Sequence, residues 1–174
     1  MLDVDQTHVA GLWWRHIPAA ADVLYQPPHP ADNRWQHGEI VEGLYFADSP
    51  DTAWAEWYRN LAEAALPPNH ALPRDLWRWE ISLPQVADLS DDERLARVGL
   101  PTMTPTQLEW PSFQPIGETL SAEGWPALVC ASAARPQGRV LCVFRTQIEV
   151  PGTRPVPPPT TVTEPPVPPT GMRT

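Results

Sequence analysis

The chain has 174 residues, a net charge of −9 and an apolar fraction of 42%, which predicts one domain with a real core and a tail. All twelve basic residues are arginines. An acidic chain is a poor candidate for nonspecific nucleic-acid binding, which needs many phosphate contacts, so no direct nucleic-acid partner is expected.

Two features of the chain bear on its compartment. It has no basic region followed by an apolar one at its start, and no apolar run of roughly 20 residues, so we expect no signal peptide, no membrane span and a cytoplasmic protein. Cys130 and Cys142 lie in apolar runs. They could pair if their strands were adjacent, but buried free thiols are favoured in a cytosolic protein.

The first half of the chain predicts two strands separated by a long loop. Residues 9–17 have the pattern of a strand, and residues 18–38 are rich in Pro, His, Asp and Asn. A loop of this length in a small domain is functional or disordered, and its Arg34 and Trp35 favour function. Leu44–Ala47 is short and apolar, as in a buried strand.

A helix is predicted directly after this strand. Asp48 or Ser49 offers an N-cap and Pro50 suits the first helical position, so the helix should run to about Ala65. One face would carry Trp54, Trp57, Tyr58, Leu61 and Ala65. The opposite side would carry Glu56, near Asn60 and Glu63.

The second half mixes strands and helices without regular βαβ alternation, which predicts an α+β fold. Strands are expected at 76–83, 127–133 and 139–150, and helices at 90–98 (capped by Ser90) and 115–124. Residues 1–150 would form the folded domain. Residues 151–170 contain nine of the 24 prolines, so 151–174 is predicted to be a tail that is extended as polyproline II or disordered.

The common nucleotide and metal motifs are absent. The chain has no GxGxxG after a strand, no GxxxxGK[ST] and no HExxH, and its five histidines are scattered. We therefore predict no metal site and no Rossmann or P-loop nucleotide site.

Four segments nevertheless share a pattern with a known family. They are WWRHI with Arg15, NRWQ with Arg34, GLYFADSPDTAWAE with Tyr45 and Glu56, and LVCASAARPQGRVLCVF with Ser132. Over roughly residues 10–146 the chain resembles the RES domain, named for its arginine, glutamate and serine. It departs from the family pattern in the loop, at Asn33 and Gln36, in the long stretch 84–112 and in the proline-rich tail.

The resemblance implies a fold and an activity. RES domains are similar to ADP-ribosyltransferase toxins, with split sheets and flanking helices around an NAD cleft. They are toxins of toxin–antitoxin modules that consume NAD, typically by phosphorolysis, and their usual partner is a helical DNA-binding antitoxin of the Xre type. Two alternatives stay open: transfer of ADP-ribose to a protein acceptor, and an inactive RES-like binding module. A homodimer is also left open.

The resemblance also implies a role for each residue. Glu56 would stabilise the oxocarbenium character that develops when the nicotinamide–ribose bond breaks. Arg15 and Arg34 would bind the phosphates of NAD. Tyr45 would stack on nicotinamide or bond the ribose, and Ser132 would bond the ligand or incoming phosphate. From the residues alone, a solvated Glu56 and a core Tyr45 are the competing interpretations.

Overall fold

The computed structural model describes residues 1–27, 29, 31–101, 105–145 and 152–173. Within them lie six strands: β1 (Asp5–Pro18), β2 (Glu42–Ala47), β3 (Arg74–Leu89), β4 (Ala127–Ala131), β5 (Arg139–Arg145) and β6 (Thr153–Val162). The α-helices are α1 (Pro50–Glu63), α2 (Asp92–Arg97) and α3 (Trp110–Ala122), and 3₁₀ turns occur at Pro68–Ala71 and Gln107–Glu109. None of the described helices is long and apolar enough to cross a membrane.

The strands form one sheet that closes on itself. β1 pairs antiparallel with β3 from Asp5↔Asp88 to Pro18↔Arg74, with a bulge near Thr7. The order β1-β2-β5-β4-β3 then returns to β1, so five strands make a small barrel. The predicted α+β class is confirmed. The expected pair of split sheets is wrong for the described strands, because the long β1–β3 pairing joins both ends of the sheet into one ring.

The barrel explains why β4 and β5 are apolar on both faces. Alternate residues of a strand point to opposite faces, and here both faces are covered. Leu141 and Val143 of β5 pack inside the barrel, whereas Cys142 and Phe144 pack outside it. The interior cluster contains Val9, Trp13, Leu44, Phe46, Trp79, Ile81, Leu83, Val86, Ala127, Val129, Leu141 and Val143.

Helix α1 follows the sequence prediction closely. Ser49 is the N-cap, its side chain accepting a hydrogen bond from the amide of Thr52, and Pro50 opens the helix. Trp54, Trp57 and Leu61 are buried together on one face. This face anchors the helix to the sheet and leaves its polar side for the site.

The proline-rich tail is not a disordered or polyproline II segment. Residues Thr153–Val162 form β6, which pairs antiparallel with the half of β3 that β4 does not reach, from Arg74↔Val162 to Ile81↔Thr153. A proline lacks a backbone donor but is tolerated in a strand at the edge of a sheet, which is the position of β6. The predicted boundary at residue 150, and the end of the predicted strand 139–150, lie outside the described residues.

Two predicted helices begin elsewhere. α2 is capped by Asp91, whose side chain accepts from the Arg94 amide, because β3 continues to Leu89 and Ser90 instead donates its hydroxyl to Asp88. α3 begins at Trp110 rather than 115.

The earlier start of α3 follows from a capping box between Thr106 and Glu109, which starts the 3₁₀ turn that leads into the helix.

Cys130 and Cys142 are buried free thiols, as favoured, although β4 and β5 are adjacent.

Candidate functional site

Four of the five predicted site residues line one cavity of about 250 Å³. Arg15 comes from β1, Tyr45 from β2 and Glu56 from α1, while Arg34 comes from the long loop. The pairing of β1 with β2 at Trp14↔Ala47 brings Arg15 to the segment that carries Tyr45 and Glu56. Other residues of the wall include Trp14, His16, Asn33, Arg59, Asn60 and Trp110.

Glu56 is held by the turn that follows β4. The Ser132 hydroxyl donates to Glu56 Oε1 at 2.5 Å, and the Ala134 amide donates to the same oxygen at 3.3 Å. Glu56 Oε2 has no hydrogen-bond partner among the described residues. One carboxylate oxygen is therefore fixed from behind, and the second is available to a ligand in the cavity.

Ser132 is fully buried and is not part of the cavity wall. Its hydroxyl accepts a hydrogen bond from the Arg135 amide at 2.9 Å while donating to Glu56. The sequence prediction had Ser132 bonding the ligand or phosphate, whereas the structure places it behind Glu56. Its observed contact orients the carboxylate.

Arg34 is buried, with only 8% of its surface exposed, so it is not a solvated loop residue. Its guanidinium carbon lies 4.9 Å from the ring of Trp35 and 4.8 Å from the ring of Phe113, within cation–π distance. Its Nη1 donates to the Ala131 carbonyl at 3.2 Å. These contacts fix a planar cation at the wall of the cavity.

Arg15 links the barrel to the long loop. Its Nη1 donates to the Val23 carbonyl at 3.2 Å and its Nη2 to the Tyr25 carbonyl at 2.6 Å. Burial, followed by the charges of Arg74 and Arg145, lowers the pKa of Arg15 to about 10. The group therefore remains charged at neutral pH and adds a second cation to the cavity.

Tyr45 presents its ring to the cavity and its hydroxyl to the loop. The hydroxyl donates to Gln36 Oε1 at 2.5 Å and accepts from the Trp35 amide at 3.3 Å. Burial raises the pKa of this hydroxyl well above its ordinary value, so it stays protonated. Gln36, one of the departures from the family pattern, thus joins the loop to Tyr45.

Two residues of the wall were missed by the sequence analysis. Arg59 donates to the Ala133 carbonyl at 2.6 Å and to the Pro105 carbonyl at 2.7 Å. It lies one helical turn after Glu56, so the polar stripe that revealed Glu56 could have revealed it. His16 is stacked on Trp54 at 5.3 Å between ring centroids, and no periodicity in the sequence marks it.

The cavity wall contains three guanidinium groups, from Arg15, Arg34 and Arg59, two carboxylates, from Glu56 and Glu63, and aromatic surface. Guanidinium groups suit phosphate oxygens, and a carboxylate suits a developing positive charge. Among the described residues, no group of His, Cys, Asp or Glu is placed to hold a metal ion. The arrangement fits an anionic ligand that becomes locally cationic as it reacts.

Comparison with known proteins gives a family and a fold for this chain. The model of the RES domain family matches residues 9–166. The fold is similar to a solved structure described as the crystal structure of the M. tuberculosis MbcT–MbcA toxin–antitoxin complex. The TM-score is 0.76 and the identity 20%, over 91% of this chain and 87% of that chain, so the likeness concerns the fold. No curated protein matches the chain.

Proposed function

Because this chain belongs to the RES domain family, we propose that it is the toxin of a toxin–antitoxin module and that it consumes NAD. The observation that carries the proposal is one cavity that contains Arg15, Arg34 and Tyr45 together with a Glu56 carboxylate fixed by Ser132. The kinship with ADP-ribosyltransferases, expected from the family, is part of this proposal.

The reaction is cleavage of the bond between nicotinamide and ribose. The anomeric carbon becomes positively charged as the bond breaks, and the Glu56 carboxylate stabilises that charge. Nicotinamide leaves with the bonding electron pair, which neutralises its ring nitrogen. Arg15 and Arg34 hold the two phosphates of the dinucleotide, and Tyr45 stacks on the nicotinamide or forms a hydrogen bond with the ribose.

Phosphate is the proposed acceptor. A phosphate oxygen forms the new bond to the anomeric carbon, which gives a phosphorylated ADP-ribose and free nicotinamide. The buried arginines that bind the dinucleotide phosphates would also raise the local concentration of inorganic phosphate. Water or a protein side chain could take its place, and these acceptors are the alternatives that the assay separates.

An antitoxin is the proposed protein partner. The structurally similar protein was solved as part of a toxin–antitoxin complex, and the family resemblance implies a helical antitoxin of the Xre type. In this proposal NAD is a substrate, no metal takes part, and the toxin acts on the cytoplasmic NAD pool.

The test is to incubate the pure protein with NAD in the presence and absence of phosphate. Release of nicotinamide together with phosphorylated ADP-ribose supports phosphorolysis. Release without phosphate indicates hydrolysis, and release only with a protein acceptor indicates ADP-ribose transfer. If no condition consumes NAD, the enzymatic proposal is wrong.

A further inference from the structure

The chain after β6 returns to the side of the domain that carries Glu56. We call residues 163–173 the C-terminal segment. The Tyr58 hydroxyl of α1 donates to the Pro166 carbonyl, and Pro169 is buried. The segment is therefore packed against the domain and does not project from it.

The C-terminal segment contacts the turn formed by residues 132–138. Arg135 Nε donates to the Thr170 carbonyl at 3.2 Å. Gly171 has φ +77°, and a Cβ there would lie 2.3 Å from Gln137 Nε2, so glycine suits the close approach. The Arg173 amide then donates to the Ala134 carbonyl at 2.7 Å.

The peptide group between Ala134 and Arg135 connects this contact to the site. Its carbonyl accepts from the Arg173 amide, and its N–H donates to Ser132 Oγ at 2.9 Å. A peptide group is planar and rigid, so fixing its carbonyl also fixes the direction of its N–H. The Ser132 hydroxyl, oriented by that N–H, donates to Glu56 Oε1 at 2.5 Å.

We propose that the C-terminal segment is a positioning element for Glu56. The Arg173 amide sets the plane of the Ala134–Arg135 peptide, and that peptide aims the Ser132 hydroxyl at the carboxylate. Loss of the Arg173 hydrogen bond lets the peptide rotate, and Glu56 loses its fixed orientation. The catalytic consequence rests on the proposed function of Glu56, whereas the physical link between segment and turn does not.

The test compares two substitutions of Arg173. Arg173→Pro removes the backbone N–H, whereas Arg173→Ala removes the side chain and keeps the N–H. In Arg173→Pro we expect amide hydrogen exchange in a peptide covering residues 132–138 to be about fivefold faster than in Arg173→Ala. We also expect kcat for NAD to fall about fivefold with KM unchanged, because orientation of Glu56 matters in the transition state.

Three results decide whether the C-terminal segment is linked to the turn and whether it positions Glu56. Equal exchange rates in the two variants overturn the link. If the wild type consumes NAD, a kcat for Arg173→Pro within twofold of that for Arg173→Ala overturns the positioning role. If the wild type does not consume NAD, the proposed function fails, and hydrogen exchange alone decides the link. A thermal unfolding midpoint shared by both variants shows that the fold is intact.

Discussion

At the scale of single residues, the site depends on one carboxylate whose orientation is fixed by the protein. Glu56 receives two hydrogen bonds on Oε1, so in the proposed reaction little reorganisation is needed when positive charge develops beside it. Preorganised groups of this kind usually supply a large share of a rate enhancement. Changes to Glu56 and to Ser132 should therefore differ in size but act on the same kinetic constant.

Glu56→Gln keeps the size of the side chain and removes its charge. We expect NAD turnover to fall at least about a hundredfold, with KM nearly unchanged, as measured by nicotinamide release. Glu39→Gln is the matched control, because Glu39 is exposed and outside the cavity wall. Turnover of Glu56→Gln within threefold of the wild type would contradict the role assigned to the carboxylate.

Ser132→Ala removes the hydroxyl behind Glu56 without touching the cavity wall. We expect kcat to fall about tenfold and KM for NAD to stay within twofold, since orientation and not ligand binding is lost. Ser121→Ala, on α3, serves as the control. A rise in KM with unchanged kcat would instead mean that Ser132 contacts the ligand, as the family resemblance implied.

The residues of the site were predictable to the extent that a local pattern marks them. The amphipathic pattern of α1 puts Glu56 opposite a tryptophan face, but a solvated glutamate has the same pattern, so its role came from the family resemblance. Arg15, Arg34, Tyr45 and Ser132 needed the family resemblance, since nothing local separates a buried arginine from a solvated one. The hydrogen bond from Ser132 to Glu56 forms because the turn after β4 packs against α1. This is a tertiary contact, and the spacing of the two residues in the sequence does not predict it.

At the scale of elements, the loop that carries Arg34 is held by α3. A Cβ at Gly117 would lie 2.0 Å from the carbonyl oxygen of Trp35, so the helix backbone approaches the loop as closely as the absence of a side chain allows. The position of Arg34 thus depends on a glycine about 80 residues further along the chain.

Gly117→Ala should force α3 and the loop apart. We expect a loss of about 1–3 kcal/mol of unfolding free energy, the usual cost of overpacking, and a higher KM for NAD because Arg34 moves. Denaturant unfolding and steady-state kinetics measure the two effects. Ser112→Ala, exposed on the same helix, should change neither; wild-type values for both quantities in Gly117→Ala would contradict the close contact.

Elements with strong local signals were predicted best. The boundary between β2 and α1 was predicted correctly because an apolar run, Ser49 and Pro50 all favour it, whereas β2 begins two residues earlier and α1 ends two residues earlier than predicted. The C-terminal strand was missed because its prolines favour polyproline II in isolation. It becomes a strand by pairing with the part of β3 that β4 does not reach. Closure of the barrel depends on pairing β1 with β3, residues so distant in sequence that periodicity cannot reveal it.

At the scale of the whole molecule, a half-buried histidine, His16, makes stability depend on pH. His16 packs against Trp54 and Trp57, with Arg74 and Arg15 as its charged neighbours. Burial, followed by the charges of these arginines, lowers its pKa well below 6.5. The folded protein therefore keeps His16 neutral at a pH where the unfolded chain binds a proton, so protons favour unfolding.

We expect the unfolding free energy to fall as pH decreases below the unfolded histidine value of about 6.5. The contribution of His16 to this slope is at most about 1.4 kcal/mol per pH unit. His16→Gln, which cannot titrate, should lose that part of the slope between about pH 6.5 and 5. Chemical denaturation at several pH values measures it, and parallel curves for the two proteins would show that His16 does not contribute.

The prolines of β6 have a consequence for how the molecule meets its neighbours. β6 is the terminal strand of the sheet, and an edge strand with free amide groups can recruit strands from other chains into aggregates. Pro155, Pro157, Pro158 and Pro159 remove the backbone donor at four of the 10 positions of this strand. Another chain that reached this edge would find fewer donors to pair with, so the prolines that favoured polyproline II in the sequence also make this edge a poorer template for aggregation.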